Sequence, residues 1–238
     1  MKKKLITILT ICLTLAILTL FYNNGIYLVQ KLLNKSNPVT IVLDPGHGGF
    51  DPGKIGVNKA LEKDINLSIS LKLKSLLENK GIQVILTRED DNGLYSKNDS
   101  DKKRSDMRNR VNIINSTDAL LAVSIHQNSF SQEAIRGLQV FYYQGSEKGQ
   151  LLAETIQDYA KNTLKDGNHR VAKANSSYYM LRNSKCPLVI VECGFLSNRK
   201  EAALLLTDDY QEKVAYGIML GLLAYIQQNT GNNKVAGD

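Results

Sequence analysis

Residues able to bind a metal or move a proton stand at the ends of apolar runs in this chain. Leu120–Ile125 runs into His126, followed by Gln127 and Asn128; Leu188–Val191 runs into Glu192; Val39–Leu43 runs into Asp44-Pro45-Gly46-His47-Gly48-Gly49. If these runs are parallel strands, ligands bind beyond their carboxyl ends, and His47, His126 and Glu192 share one edge of a sheet. One histidine after a strand is usually structural, but three such side chains together mark a site. Glycines around His47 allow a tight turn and a close approach of backbone to a ligand. Glu62 adds a fourth group, three residues before Ile65 on the helical stripe of Ile69, Leu73 and Leu76. A glutamate in an apolar stripe needs a partner, because an unpaired buried charge is prohibitively costly. A cation would supply one; a first-turn glutamate that favours the helix dipole and faces solvent is the plainer alternative.

His47, Glu62 and His126 form a two-histidine, one-carboxylate set, the pattern of a catalytic zinc with its fourth position open. Zinc there would bring the pKa of a water to about 7 and polarise a carbonyl oxygen. Glu192 is then the candidate general base, later protonating a leaving amine. Asn128, two residues beyond His126, offers a donor and an acceptor on the same edge. Arg88, at the end of Gln83–Thr87, has a fork suited to a carboxylate or carbonyl of a substrate. Bracing of loops is the plainer reading of both. His169, in a polar loop beside Gly167 and Arg170, is read as surface.

These groups need a scaffold, and the hydrophobic periods supply it. Val39–Leu43, Gln83–Thr87, Leu120–Ile125 and Leu188–Val191 read as buried strands, and Gly137–Tyr143 as one nearer an edge. Helical periods run through Leu61–Asn79, Lys103–Asn115, Glu147–Asn162 and Asp208–Gln228. The alternation predicts an α/β fold: a mostly parallel central sheet with helices on both faces, a three-layer αβα arrangement. One catalytic domain over 39–228 and a frayed tail over 229–238 complete the outline. Glu89–Asp106 and Thr163–Ser177 are polar stretches, read as solvated loops placed where they could rim the site.

Residues 1–38 read differently. Lys2–Lys4 precede the apolar run Leu5–Phe21, as in an export signal or a short membrane anchor followed by a tether. The leading lysines place the remainder outside the membrane. Five of the 30 basic residues lie in this segment, which has no acid, leaving 25 bases against 23 acids beyond it. A near-neutral body argues against a nucleic-acid binder. Three cysteines give no disulfide framework.

Val42–Gly53, Glu62-Lys63, Ser124-Ile125-His126-Gln127-Asn128 and Val191–Asn198 together resemble the motifs of the zinc-dependent N-acetylmuramoyl-L-alanine amidases, the amidase type-3 family. Thr87-Arg88, Asp91, Arg110 and Asn115 also resemble family positions, and the likeness spans Val39 to about Gln227 in the right order. The resemblance implies zinc held by His47, Glu62 and His126, with Glu192 as catalytic carboxylate. It also implies cleavage between the lactyl group of muramic acid and the first L-alanine of the peptidoglycan stem. A bare catalytic domain behind a short N-terminal segment is similar to the germination-specific amidases of spore-formers, which prepare cortex muramic acid for conversion to the δ-lactam. That likeness implies work outside the cytoplasm, in the forespore intermembrane space, and an extracytoplasmic helper protein in place of a wall-binding module. Three other readings compete. In one, Asp44–Gly49 cradles phosphate, though it lacks a G-x-G-x-x-G or P-loop pattern. In another, Cys193 is a nucleophile, though on a strand it points away from Glu192. The last is a catalytically weak wall-binding or partner-binding domain retaining the amidase fold.

Overall fold

The computed structural model describes residues 39–232, so the expected signal or anchor over 1–38 lies outside the described residues. Six strands form one mixed sheet: β1 (Thr40–Pro45), β2 (Gln83–Leu86), β3 (Leu121–Asn128), β4 (Gln139–Tyr143), β5 (Lys173–Asn175) and β6 (Leu188–Phe195). Their order is β2-β1-β3-β6-β4-β5. The first four of that order run parallel, β4 is antiparallel to β6, and β5 is parallel to β4. Six helices connect or flank them: α1 (Glu62–Glu78), α2 (Lys102–Ser116), α3 (Glu147–Leu164), α4 (Tyr179–Asn183), α5 (Arg199–Leu204) and α6 (Asp208–Asn232). Among the described residues no helix is long and apolar enough to cross a membrane.

Strand alternation sorts the core into two layers, one on each face of the sheet. Ile41, Leu43, Val123 and Val191 face α1, α3 and α6, meeting Ile69, Ile156 and Val214. Val42, Ala122 and Ile190 face the other way, meeting Val111 and Ile114 of α2 and Met180 and Leu181 of α4. The expected three layers are present. Gly137–Tyr143 forms β4, near the edge as read, and the edge itself is taken by β5, which forms inside the polar stretch read as a loop. β5 is short and has no buried residue, so it carries no hydrophobic pattern. The last helix also continues through Asn229 to Asn232, beyond the expected start of the tail.

α3 and α6 pack closely because α6 presents glycines to α3. A Cβ on Gly221 would lie 2.7 Å from Ile156 Cα, and one on Gly217 2.9 Å from Ala160 Cα. Such contacts are with backbone, which cannot swing aside. Gly221→Ala sets a helix-propensity gain of about 1 kcal/mol against overpacking of about 1–3 kcal/mol. We expect the clash to prevail and the midpoint of thermal unfolding to fall; an unchanged or raised midpoint would mean that the helices separate at no cost.

Candidate metal centre and active site

β1 ends in a carboxylate that is fully inside the protein. Asp44 lies opposite Ser124 in the parallel ladder. Its Oδ2 accepts from Ser124 Oγ at 2.6 Å, and its Oδ1 from Thr87 Oγ1 at 2.6 Å and Arg110 Nη1 at 2.8 Å. Burial alone would raise its pKa; the Arg110 charge and the two hydroxyls overcome that and hold it below the usual carboxylate range. Arg110 also donates to the carbonyls of Pro45 and His47. Arg88 donates to Pro45 O at 2.9 Å and Gly46 O at 3.0 Å. The turn that carries His47 is therefore fastened from beneath by two guanidinium groups. His47 itself sits at φ 62°, in the left-handed region, a conformation that costs a non-glycine residue roughly 1–2 kcal/mol.

Three donors converge above this turn. One donor atom each from His47, Glu62 and His126 lies within 4.8 Å of the other two. Glu62 Oε1 is 3.2 Å from His47 Nε2 and 3.0 Å from His126 Nδ1. It is the first residue of α1 and is buried, with Oε1 also accepting from Gln127 N at 3.1 Å and Oε2 from Lys54 N at 2.7 Å. Burial would raise its pKa, but hydrogen bonds from the two histidines carry it far below the ordinary value. On its other side, His47 Nδ1 meets Asp51 Oδ2 at 2.9 Å, the outer partner that fixes the orientation of a metal-binding imidazole. Glycines make the approach possible. A Cβ on Gly46 would overlap the His126 ring, and one on Gly53 would lie 2.5 Å from Glu62 Oε2. Two imidazoles and one carboxylate held ionised in a buried pocket fit a divalent metal by both charge and donor type.

Glu192 faces His126 directly across the β3–β6 ladder, where the register shifts between His126 and Asn128. Such a bulge re-aims side chains beside a site. Glu192 is 9% exposed, and its Oε2 is buried with no hydrogen-bond partner. Burial pushes its pKa up to about 7, opposed by the nearby His126 charge. Two cavities open from this point. One, of about 200 Å³, is lined by Met107, Tyr178, Met180 and Ile190; the other, of about 290 Å³, by Lys54, Gln127, Asn128 and Ser129. His47, Asp51, Lys103, His126, Tyr178 and Glu192 line both, so the two are arms of one cleft.

His47, Glu62, His126 and Glu192 are thus together, and Asn128 lines the more polar arm. Arg88 is not with them. It is buried, lines neither arm, and donates to Pro45 O, Gly46 O, Lys63 O and Asp90 O. Its guanidinium has little left to offer a substrate, in accord with the bracing alternative. His169 is exposed on a separate cavity. Cys193 lies in the core on the opposite face, its thiol pushed up by burial, which removes it as a nucleophile. Asp51, Asn66, Lys103 and Tyr178 were not foreseen. Asn66 had a readable sign: it is polar, one turn after Glu62 on the same face, and it donates to Gly46 O at 3.1 Å. Asp51 lies in an irregular loop, where spacing carries no periodic meaning.

Comparison with known proteins agrees with this geometry. Residues 41–224 match the family model described as N-acetylmuramoyl-L-alanine amidase. A germination-specific N-acetylmuramoyl-L-alanine amidase of Bacillus subtilis is 40% identical over 191 residues, covering 79% of this chain and 80% of that protein. The CwlD amidase from Clostridioides difficile, solved in complex with the GerS lipoprotein, superposes with a TM-score of 0.77 at 42% identity. That match covers 79% of this chain and 98% of the other. An N-acetylmuramoyl-L-alanine amidase from Clostridium difficile 630 gives a TM-score of 0.72 at 33% identity, over 81% and 98% of the two chains.

The fastening of the turn can be tested through Arg110. Arg110→Met removes one partner of a buried ion pair and strands Asp44, which should lower stability by about 3–5 kcal/mol. The urea midpoint should drop and bound metal should fall with it. A variant that unfolds at the wild-type midpoint would show that the pair carries no such weight.

Proposed function

Because the chain belongs to the N-acetylmuramoyl-L-alanine amidase family and is a peptidoglycan amidase, we propose that its metal is zinc, held by His47, Glu62 and His126, with Glu192 moving the protons of the reaction. The bond cleaved joins the lactyl carbonyl of N-acetylmuramic acid to the nitrogen of L-alanine. The observation that carries the assignment is the convergence of two imidazoles and a buried carboxylate beside a second carboxyl with an unpartnered oxygen. Zinc, when bound, supplies Lewis acidity toward the scissile carbonyl and toward water.

The chain's own groups supply the rest. Glu192 Oε2 takes a proton from the attacking water as the C–O bond forms. It returns that proton to the alanine nitrogen as the C–N bond breaks, leaving a lactyl carboxylate and a free amine. A carboxyl pushed up to about 7 suits both directions of transfer. Asp51 keeps the His47 ring in place through Nδ1, and Asn128 meets the polar part of the substrate. The grouping of His47, Glu62 and His126 beside Glu192 supports catalysis over a catalytically weak wall-binding domain.

The protein works on cell wall, outside the cytoplasm. More finely, we place it in spore cortex maturation, in the forespore intermembrane space, preparing muramic acid for δ-lactam formation. The identity with a germination-specific amidase supports this reading. Residues 1–38 act in it as export signal or anchor and 39–232 as the catalytic domain, whose last helix ends at Asn232. The C. difficile CwlD amidase was solved with a lipoprotein bound, which supports an extracytoplasmic helper for this chain too.

Removing a ligand and removing the base should give different results. His126→Ala deletes a metal donor, so zinc content and amide cleavage should fall together. Glu192→Gln keeps the shape and the ligand set; it should hold zinc yet lose roughly 10²–10⁴-fold in rate. A chelator should abolish activity in the wild type, and added zinc should restore it. A Glu192→Gln protein without metal would make Glu192 a ligand and overturn the division of roles.

A further inference from the structure

The two arms of the cleft differ in chemistry. Gln127, Asn128 and Ser129 give one arm amides and a hydroxyl. Met107, Met180 and Ile190 give the other a wall of thioethers and hydrocarbon. α2 lays four of its residues along the apolar arm, among them Asp106, which pairs with Arg110. Arg110, Met107 and Lys103, spaced by three and four positions, share one face of the helix and all line the cavity. Arg110, 3% exposed, is spent on Asp44, Asp106 and the backbone turn. Lys103 is different. Its side chain is 60% exposed, and its ion pair is a 3.4 Å approach to Asp51 Oδ2. Asp51 is already engaged by His47 Nδ1 at 2.9 Å and by Gly53 N at 3.2 Å. The ammonium can therefore leave Asp51 for a better anion without stranding it.

Resting on the amidase reading, we propose that Lys103 is a specificity-determining residue that reads the charge of the second stem-peptide residue. The apolar arm takes the alanine methyl group. Lys103 pairs with the α-carboxylate of the γ-linked D-glutamate that follows, and the polar arm takes the lactyl and sugar groups. The reach agrees. Successive Cα atoms are about 3.8 Å apart, and the α-carboxylate sits directly on the Cα after alanine. One turn of α2, about 5.4 Å, separates Met107 from Lys103. An alanine seated on Met107 brings the next carboxylate to the ammonium. Peptidoglycan in which this carboxylate is converted to its carboxamide would lose the contact.

The test uses the zinc-loaded full-length protein and two soluble glycan tetrasaccharides bearing the L-Ala–γ-D-Glu stem, one with the free α-carboxylate and one with its carboxamide. Wild type should favour the free acid by about threefold to tenfold in kcat/KM, the worth of a partly screened charged contact. The difference should lie mainly in KM and shrink as salt is raised. Lys103→Met should bring the free acid down to the level of the amide, and Lys103→Arg should keep the preference. Equal cleavage of both substrates by the wild type would overturn the proposal. So would a Lys103→Met variant that slows both in the same proportion, since that would mean a structural role through Asp51. No cleavage of either substrate by the wild type would instead remove the amidase reading on which the proposal rests.

Discussion

The site depends on a buried ion pair that lies outside the proposed donor set, under the turn that carries His47. Asp44 and Arg110 meet at 2.8 Å with side chains 1% and 3% exposed. Withdrawing two charges from water costs several kcal/mol each, and attraction offsets this only when the remaining lone pairs and N–H groups are also satisfied. Here they are. Asp44 takes both hydroxyls of its neighbours, while Arg110 spends its other donors on Asp106 and on the carbonyls of Pro45 and His47. Pro45 O lies at the last residue of β1 and His47 O in the turn just beyond it, and buried backbone groups without partners are rare because they are costly. The ion pair thus holds the turn, the turn holds His47 at a positive φ, and His47 completes the donor set. Arg88 adds a second cation beneath the same turn. Burial, with the like charge of Arg110, lowers it to about 10, still charged at neutral pH.

A second constraint is geometric. His126 and Glu192 are opposite members of one ladder, so the sheet fixes their separation. Glu62 arrives from the first turn of α1, a helix packed on the other face from α2 and α4. At the carboxyl end of the strands groups from both faces can meet. Gly46 and Gly53 let the backbone pass where a Cβ would strike His126 or Glu62. Here the glycines serve the approach of backbone to the protein's own His126 and Glu62 side chains, whereas the sequence suggested approach to a bound molecule.

How much could be read beforehand follows from what leaves a periodic trace. The buried strands and long helices leave one, and the sequence placed each of them within a few residues. Unusual side chains at the ends of those strands are also visible, which is why His47, His126 and Glu192 could be named. β5 exposes its short span and is held by β4 alone, so it has no pattern to detect. Lys103 lies at the start of a helix whose outward charges look like an ordinary solvated face. Glu89–Asp106 reads as a surface loop. Part of it is a clamp, with Tyr95 Oη accepting from Phe50 N at 3.0 Å and Asp91 meeting Lys63 Nζ at 2.7 Å. Those contacts join segments far apart in sequence, and no local spacing encodes them. Arg88 illustrates the limit from the other side. Its type suited a substrate carboxylate, but only tertiary structure decides whether a guanidinium at a strand end turns outward or under the loop.

Two glutamates share this cleft with nearly equal burial, 2% for Glu62 and 9% for Glu192, so burial alone cannot separate them. Their partners do. Hydrogen bonds and charge from the His126 and His47 rings keep Glu62 ionised against the cost of desolvation, and the N–H groups of Lys54 and Gln127 complete its partners. Glu192 has an oxygen with no donor at all, and desolvation therefore governs it, raising it to about 7. A permanently charged carboxylate is suited to holding a cation and unsuited to carrying a proton; one near neutrality is the reverse. Where two carboxyl groups in one site are pushed apart in this way, their environments assign the roles. The two imidazoles thus hold Glu62 ionised while burial prevails at Glu192, and that asymmetry is the physical ground for proposing one as ligand and the other as base.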